Sequence, residues 1–212
     1  MLRFIRLLPL VVILVAPLAA QNGDKRGEAQ NPLPANIKIP PAPVRRPDDE
    51  AATFKLAPGF RAELIAADPL IADPIAMQFG PDGRLWVLEM RGYMPNADGE
   101  GEREPVCTVA VLEDSDGDGR YDKRTTFADK LVLPRAIALV GDGLLVGEPT
   151  HLWFLRDTNG DGVADEKTEI ASDYGNINNP EHNANGLMWA MDNWIYSANY
   201  TARFRWLGDG SP

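Results

Sequence analysis

Two acidic loops of one design carry the residues best suited to hold an ion. Asp114-Ser115-Asp116-Gly117-Asp118-Gly119-Arg120-Tyr121-Asp122 is answered 43 residues later by Asp157-Thr158-Asn159-Gly160-Asp161-Gly162-Val163-Ala164-Asp165. Both read D-x-[DN]-x-D-G-x-x-D. Side-chain oxygens of Asp114, Asp116 and Asp118, the backbone carbonyl of Arg120 and the carboxylate of Asp122 can surround Ca²⁺, and Gly119 permits the sharp turn. In the second copy the same roles fall to Asp157, Asn159 and Asp161, the carbonyl of Val163, the carboxylate of Asp165, and Gly162. An EF-hand needs a bidentate Glu at its twelfth position, where this chain has Thr125 and Thr168. An acidic turn that binds nothing has the same composition, because tight turns also select Asp and Gly. The matched pair is what favours a calcium loop written twice.

The second reactive group is an imidazole. His182 stands in Asn179-Pro180-Glu181-His182-Asn183-Ala184-Asn185-Gly186-Leu187, and a histidine beside a glutamate can serve as a general base near neutral pH. The alternative is a loop histidine held by structural hydrogen bonds. His151, ahead of Leu152-Trp153-Phe154, reads as the start of a strand. Cys107 is the only cysteine, which leaves no intrachain disulfide, no C-x-x-C-H haem attachment and no zinc spacing; it reads as a small buried hydrophobe opening a strand.

The segments that position these groups are strands. Val109-Ala110-Val111-Leu112-Glu113 and Leu152-Trp153-Phe154-Leu155-Arg156 are β-branched or aromatic runs leading straight into the Asp loops, which places both loops in β-hairpins. A second similarity repeats as well. Pro74–Phe79 followed by Asp82-Gly83 and Leu85-Trp86-Val87 returns as Pro134–Leu139 followed by Asp142-Gly143 and Leu144-Leu145-Val146. A weaker third copy runs from Asn185-Gly186-Leu187-Met188-Trp189 through Asp192-Asn193 to Trp194-Ile195-Tyr196. Each unit is a hairpin about a turn whose residues accept positive φ. Residues 92–104 form a Gly-, Glu- and Asp-rich insertion in the first unit, and Ala62 to Ala66 reads as a further alternating strand. A self-similar unit of about 40 to 50 residues carrying strand-like segments is the usual period of a β-propeller blade or similar repeat. The expected fold is all-β: a β-propeller of which about three to four blades are present in residues 51–212, the remainder of a closed ring lying in a longer protein. The five tryptophans are expected between blades, with sugar stacking as the alternative.

Residues 1–20 read as a secretory signal, with Arg3 and Arg6 before an apolar run from Leu7 to Ala16 and cleavage after Ala20. The chain is therefore expected in the periplasm or outside the cell, where millimolar-affinity calcium sites fill. It is associated with the membrane only if that segment stays uncleaved. Residues 21–50, rich in proline and poor in large apolar groups, read as an extended linker. The formal net charge of −10 argues against nucleic acid or an anionic membrane surface as partner and for divalent cations.

Phe60-Arg61-Ala62-Glu63-Leu64, the run from Asp82 to Tyr93, the paired Asp loops and Asn179-Pro180-Glu181-His182 through Trp194-Ile195-Tyr196 resemble the propeller of the large exported membrane-bound dehydrogenase proteins of planctomycete-type bacteria. That propeller is in turn similar to the soluble glucose/sorbosone dehydrogenases. The resemblance spans residues 54–206 and implies a six-bladed, calcium-dependent quinoprotein using pyrroloquinoline quinone (PQQ), with a sugar or polyol as substrate. It also implies His182 as the base that takes the substrate hydroxyl proton, and a C-terminal portion or a cytochrome as electron-accepting partner. Two other readings stand beside it. One is a non-catalytic, calcium-stabilised propeller that binds glycan or protein. The other is a lactonase-type hydrolase with a metal held by Glu89, Glu148 and Glu181.

Overall fold

The computed structural model of the chain describes residues 34–38, 41–96, 98–179, 182–198 and 202–208. The chain divides into two compact units, Met1–Ile39 and Pro40–Pro212. In the first, the described residues make a turn closed by the Ile37 N–H on the Pro34 carbonyl at 2.8 Å. The second unit holds every described strand.

Among its described residues that unit is all-β, with eleven strands in three antiparallel sheets, none of them closed. Sheet 1 runs in chain order through β1 (Pro74–Phe79), β2 (Leu85–Glu89), β3 (Cys107–Glu113) and β4 (Lys123–Leu131). Sheet 2 repeats the order with β5 (Ala136–Val140), β6 (Gly143–Glu148), β7 (Thr150–Arg156) and β8 (Glu166–Tyr174). Sheet 3 has β9 (Asn185–Trp189), β10 (Ile195–Ala198) and β11 (Arg203–Phe204). The expected hairpins are present in all three. The registers repeat too, since Leu85 pairs with Leu112, which pairs with Arg124, while Leu144 pairs with Leu155, which pairs with Lys167. Sheet 1 departs from its copy at one connection. Residues 90–106, containing the expected insertion, link β2 to β3, whereas Pro149 alone links β6 to β7.

The sheets stack face to face, as their strand patterns dictate. Strands buried on both faces read as near-continuous apolar runs, and β2 is buried at all five residues. One core lies between sheets 1 and 2, where Leu88, Val109, Val111, Phe127 and Leu131 meet Ile137, Leu144, Val146 and Leu155. A second lies between sheets 2 and 3, where Ala138, Leu145, Leu152, Phe154 and Tyr174 meet Ile195. Burying each such Leu, Val or Ile stabilises the fold by roughly 1.5–3 kcal/mol before entropy is counted. The first strands of the sheets are neighbours: the Leu139 N–H on β5 donates to Gln78 Oε1 on β1 at 2.8 Å, and Trp189 Nε1 on β9 donates to the Leu139 carbonyl at 3.0 Å. Four tryptophans lie at or beside contacts between the sheets. Trp86 stands edge-on to Phe127 at 4.7 Å, Trp153 packs against the first core, Trp189 bridges β9 to β5, and Trp206 covers Phe154 at 5.0 Å. Trp194 differs, lying under Arg203 and Arg205.

Two expectations change. Within the extended linker, Pro47–Ala51 forms a short helix α1, with proline opening it and Asp48, Asp49 and Glu50 in the first turn, where the helix dipole favours acids. The alternating segment Ala62–Ala66 forms no strand. It lies over the outer face of sheet 1, where Ile65, Ala66, Leu70 and Ile71 cover Leu85, Val87, Ala110 and Leu112. Among the described residues it has no ladder partner, and a strand exists only by pairing.

Cys107 is fully buried, as its small apolar character predicts. Residues 1–33 lie outside the described residues, and the secretory signal with them. Among the described residues no helix is long and apolar enough to cross a membrane.

Candidate metal centres

Both Asp loops cap the far end of a hairpin, between β3 and β4 and between β7 and β8. In each, the first aspartate organises the turn. Asp114 Oδ1 accepts the Gly117 N–H at 2.7 Å and Oδ2 the Gly119 N–H at 3.0 Å. Asp157 does the same with Gly160 at 2.7 Å and Gly162 at 2.8 Å. Gly117, Gly119, Gly160 and Gly162 all have φ between 78° and 90°, which explains glycine at these four positions. The next carboxylates and amides turn inward in step. Asp118 N–H donates to Asp116 Oδ1 at 3.2 Å and Arg120 N–H to Asp118 Oδ1 at 2.7 Å. The copies are Asp161 N–H to Asn159 Oδ1 at 2.9 Å and Val163 N–H to Asp161 Oδ1 at 2.8 Å.

Asp114, Asp116 and Asp118 bring one oxygen each to within 4.8 Å of one another. Oxygens bound to one Ca²⁺ at 2.3–2.6 Å can lie at most about 5 Å apart, so the spacing suits such an ion. The second loop gathers two carboxylates and the Asn159 amide carbonyl in the matching fold. The ninth-position carboxylates are engaged elsewhere. Asp122 accepts the Ser115 N–H at 3.0 Å and the Ser115 hydroxyl at 2.6 Å, and Asp165 accepts the Thr158 N–H at 3.0 Å and its hydroxyl at 2.9 Å. The Ser115 hydroxyl and N–H hold Asp122 below the usual carboxylate range, and the Thr158 N–H and hydroxyl do so for Asp165.

The eighth residue of each loop fastens the hairpin to the layer before it. Tyr121 N–H donates to the Ile65 carbonyl at 2.8 Å, and Ala164 N–H donates to the Phe127 carbonyl at 2.7 Å. In the first loop Arg120 also pairs with Asp48 of α1 at 2.8 Å, and the Tyr121 hydroxyl donates to the Gly83 carbonyl at 2.9 Å. The first loop thus ties the N-terminal segment to sheet 1, and the second ties sheet 1 to sheet 2. Beside it a cleft of about 470 Å³ opens between the sheets, lined by Trp86, Phe127, Lys123, Asp142, Asp157 and Asp161.

His182 belongs to the opposite end of the stack. It follows β8 and precedes β9, and in an up-and-down sheet that connection emerges away from the β7–β8 loop. The ring is exposed, with Nδ1 3.3 Å from Asn179 Oδ1, which also accepts the His182 N–H at 3.2 Å. Glu181, its expected partner, lies outside the described residues. The residue that organises this loop is the neighbour. Asn183 is 1 % exposed, and its Oδ1 accepts the N–H groups of Asn176 and Ala184 at 2.9 Å while Nδ2 donates to the Asn176 carbonyl at 3.0 Å. Arg103, from the insertion, donates to Asn178 Oδ1 at 3.2 Å and so joins the two loops of this end. His151 is a strand residue of β7, stacked on Trp153 and 3.5 Å from Glu169.

Glu89 and Glu148, the two described members of the alternative carboxylate set, are each held by hydrogen bonds at the end of a strand. Glu89 is fully buried and accepts from the Ala72 N–H at 2.8 Å, Thr108 Oγ1, Arg91 Nη2 at 2.9 Å and Arg124 Nη2 at 2.9 Å. Burial pushes its pKa up, but Thr108, the Ala72 N–H and Arg124 together hold it below the usual value. Glu148 accepts from the Val132 N–H and from Trp153 Nε1 at 2.6 Å, with Lys167 at 3.6 Å. Ala72 and Val132 each precede a positive-φ residue and a proline, Asp73-Pro74 and Leu133-Pro134. The carboxylate at the end of each second strand therefore latches the entry to its own sheet.

The family described as Domain of unknown function (DUF7133) matches residues 46–205. No curated protein and no solved structure matches the chain. The match covers all three sheets, and the chain belongs to the DUF7133 family.

Proposed function

We propose that this DUF7133 chain is an exported β-propeller module whose blades are clamped at one end by calcium. The observation that carries the reading is the equivalence of the two Asp loops. They sit at the same place in consecutive sheets, fold through the same hydrogen bonds and fasten each sheet to the layer before it. Up-and-down four-stranded sheets stacked with their first strands adjacent are the arrangement of propeller blades, which supports that architecture. Calcium at the loops would neutralise carboxylates that repel one another, and so hold the hairpin tips in the geometry that docks Tyr121 and Ala164. With extracellular-type affinities, about 10 mM Ca²⁺ would stabilise the fold by about 1.4–2.7 kcal/mol per site. Thermal melting with Ca²⁺, Mg²⁺ or a chelator tests this. The expected result is a rise of several degrees with Ca²⁺, smaller with Mg²⁺, which is reluctant to shed its water. Melting curves that coincide in all three would remove the reading.

A second reading is the quinoprotein dehydrogenase, with His182 as base. It is favoured by the exposed imidazole, steadied by Asn179 on the loop that feeds β9, and by the Arg103 guanidinium on the adjoining loop, a cation suited to an anionic cofactor. PQQ, when bound, supplies a quinone that accepts hydride from a sugar or polyol carbon. His182 would take the proton of the substrate hydroxyl, and a cytochrome or a further segment would remove the electrons. Reconstitution with PQQ and Ca²⁺ followed by dye reduction with aldoses and polyols tests it. Turnover lost in His182→Ala supports the reading, and no reduction with any of them ends it.

A further inference from the structure

The two Asp loops differ at their third residue, and the difference is one of reactivity as well as charge. The first loop has Asp116-Gly117 at that place and the second has Asn159-Gly160. An asparagine followed by glycine can cyclise, because glycine has no side chain to hinder the close approach of its nitrogen to the amide carbon. The Gly160 backbone nitrogen attacks Asn159 Cγ. An N–Cγ bond forms, the Cγ–Nδ2 bond breaks, and ammonia leaves with the proton of the Gly160 N–H. Water then opens the five-membered imide. Cleavage of the N–Cγ bond leaves aspartate at position 159. Cleavage of the bond from nitrogen to the main-chain carbonyl carbon leaves isoaspartate, with one more carbon in the main chain. One water is consumed and one ammonia released, and no atom changes oxidation state.

The folded loop blocks this reaction with the bonds that organise its turn. The Gly160 N–H is donated to Asp157 Oδ1 at 2.7 Å, and Asn159 Oδ1 is held by the Asp161 N–H at 2.9 Å. Asp165 accepts the Asn159 N–H. For the attack, the Gly160 nitrogen must leave Asp157 and the Asn159 side chain must leave Asp161, so the loop has to open first. Burial gives no further protection. Asn159 and Gly160 are both exposed, and among the described residues no atom beyond Gly160 and its two chain neighbours lies within 4 Å of where a Gly160 Cβ would stand. The rate of conversion therefore follows the fraction of loops that are open.

We propose that Asn159-Gly160 is a site of spontaneous covalent modification, gated by calcium in the second loop. The gate rests on the calcium-clamp reading; the reactive dipeptide does not. Ca²⁺ held by Asp157, Asn159 and Asp161 fixes the groups whose release the attack requires. With extracellular-type affinity, about 10 mM Ca²⁺ multiplies the closed population roughly ten- to hundred-fold and slows conversion by the same factor. The two products have opposite fates. Aspartate at position 159 gives the ligand set of the first loop, where Asp116 already accepts the Asp118 N–H at 3.2 Å in the same turn. Isoaspartate lengthens the main chain inside the turn, so that the Gly160 N–H no longer meets Asp157. A chain deprived of calcium is thus marked covalently at the loop that lost its ion.

The test incubates the full chain at mildly alkaline pH with Ca²⁺ or with a chelator and follows each asparagine by mass spectrometry of its peptides. Asn159 should convert to aspartate and isoaspartate at least about ten-fold faster in chelator. Asn185-Gly186 is the internal control. It is the same dipeptide, but it lies on β9 with Asn185 paired to Ala198, so its slower conversion should not respond to Ca²⁺. Asp157→Ala removes the acceptor of the Gly160 N–H together with a calcium ligand, and Asn159 should then convert at the fast rate in both buffers. Conversion in that variant as slow as in the calcium-loaded wild type overturns the gate, as do equal wild-type rates in the two buffers. Calorimetry on the same sample separates the causes: two calcium sites with equal rates leave the clamp reading standing, and no heat of binding removes both. Conversion of Asn159 no faster than that of Asn185 in chelator overturns the modification site itself.

Discussion

Sheets 1 and 2 are built to one plan, yet they are fastened with unequal strength at their two ends. At the latch end, Glu89 in sheet 1 is fully buried among two guanidinium groups, a hydroxyl and a backbone N–H. Glu148 in sheet 2 keeps 10 % of its side chain exposed and has one ammonium group, at 3.6 Å. At the loop end, the first loop offers Asp116 where the second has Asn159, and Arg120 where the second has Val163. The sheet that begins the stack carries more charge at its joints, at Glu89 with Arg91 and Arg124 and at Arg120 with Asp48. Both sheets lie between two apolar clusters, so the difference is in their polar joints and not in how they are buried. A repeat, then, can keep its backbone pattern while its polar joints differ from copy to copy.

The sharpest way to break the comparison is at the latches. Glu89→Ala leaves Arg124 and Arg91 facing a buried hole, and should destabilise the fold by about 3–5 kcal/mol. Glu148→Ala should cost about 1–3 kcal/mol, since Lys167 can turn to water. Denaturant unfolding of the two variants checks the order, and equal losses would show that the latches are interchangeable. Acid provides a second measure. Glu89 has its pKa lowered on folding, so its contribution is complete above the unfolded value near 4.5 and declines as pH falls through the lower, folded value. The wild type should therefore lose stability below pH 4.5 more steeply than Glu89→Gln, as read from melting temperature against pH.

The loops allow a finer test. Three gathered carboxylates in the first against two in the second should give the first the tighter calcium site, because affinity follows ligand charge. Asp116→Asn should bring the first loop to the level of the second and Asn159→Asp the reverse, by calorimetric titration of each variant. The smallest effect should come from Arg120→Ala, which removes an exposed ion pair with Asp48 worth about 0.2–1 kcal/mol. Its expected signature is faster amide exchange in α1 with little change in overall melting.

Much of this was legible in the sequence. The alternating and apolar runs gave β1, β2, β5 and β6, and the Asp loops announced the β3–β4 and β7–β8 hairpins, because period and turn chemistry are local properties. What was not legible depends on distant partners. Ala62–Ala66 has a strand's alternation but forms no strand, since pairing is decided by residues that its own pattern does not contain. Glu89 looks like any strand-end carboxylate until Arg124, 35 residues on, reaches it. Of the loop at the opposite end, the sequence drew attention to His182, yet Asn183 is the buried organiser, and an asparagine among four in this stretch gives no local sign of burial. The N–H groups of Tyr121 and Ala164 could not be found from residue type at all, because every residue but proline offers one.

The paired loops as calcium clamps are tested most directly by calorimetric titration of Ca²⁺ into the chain, alongside Asp116→Ala and Asp161→Ala. The account predicts two sites in the wild type, one in each variant, and a lower calcium-dependent melting temperature in both variants. No heat of binding at millimolar Ca²⁺, with variants that melt like the wild type, would contradict it and leave the loops as acidic turns.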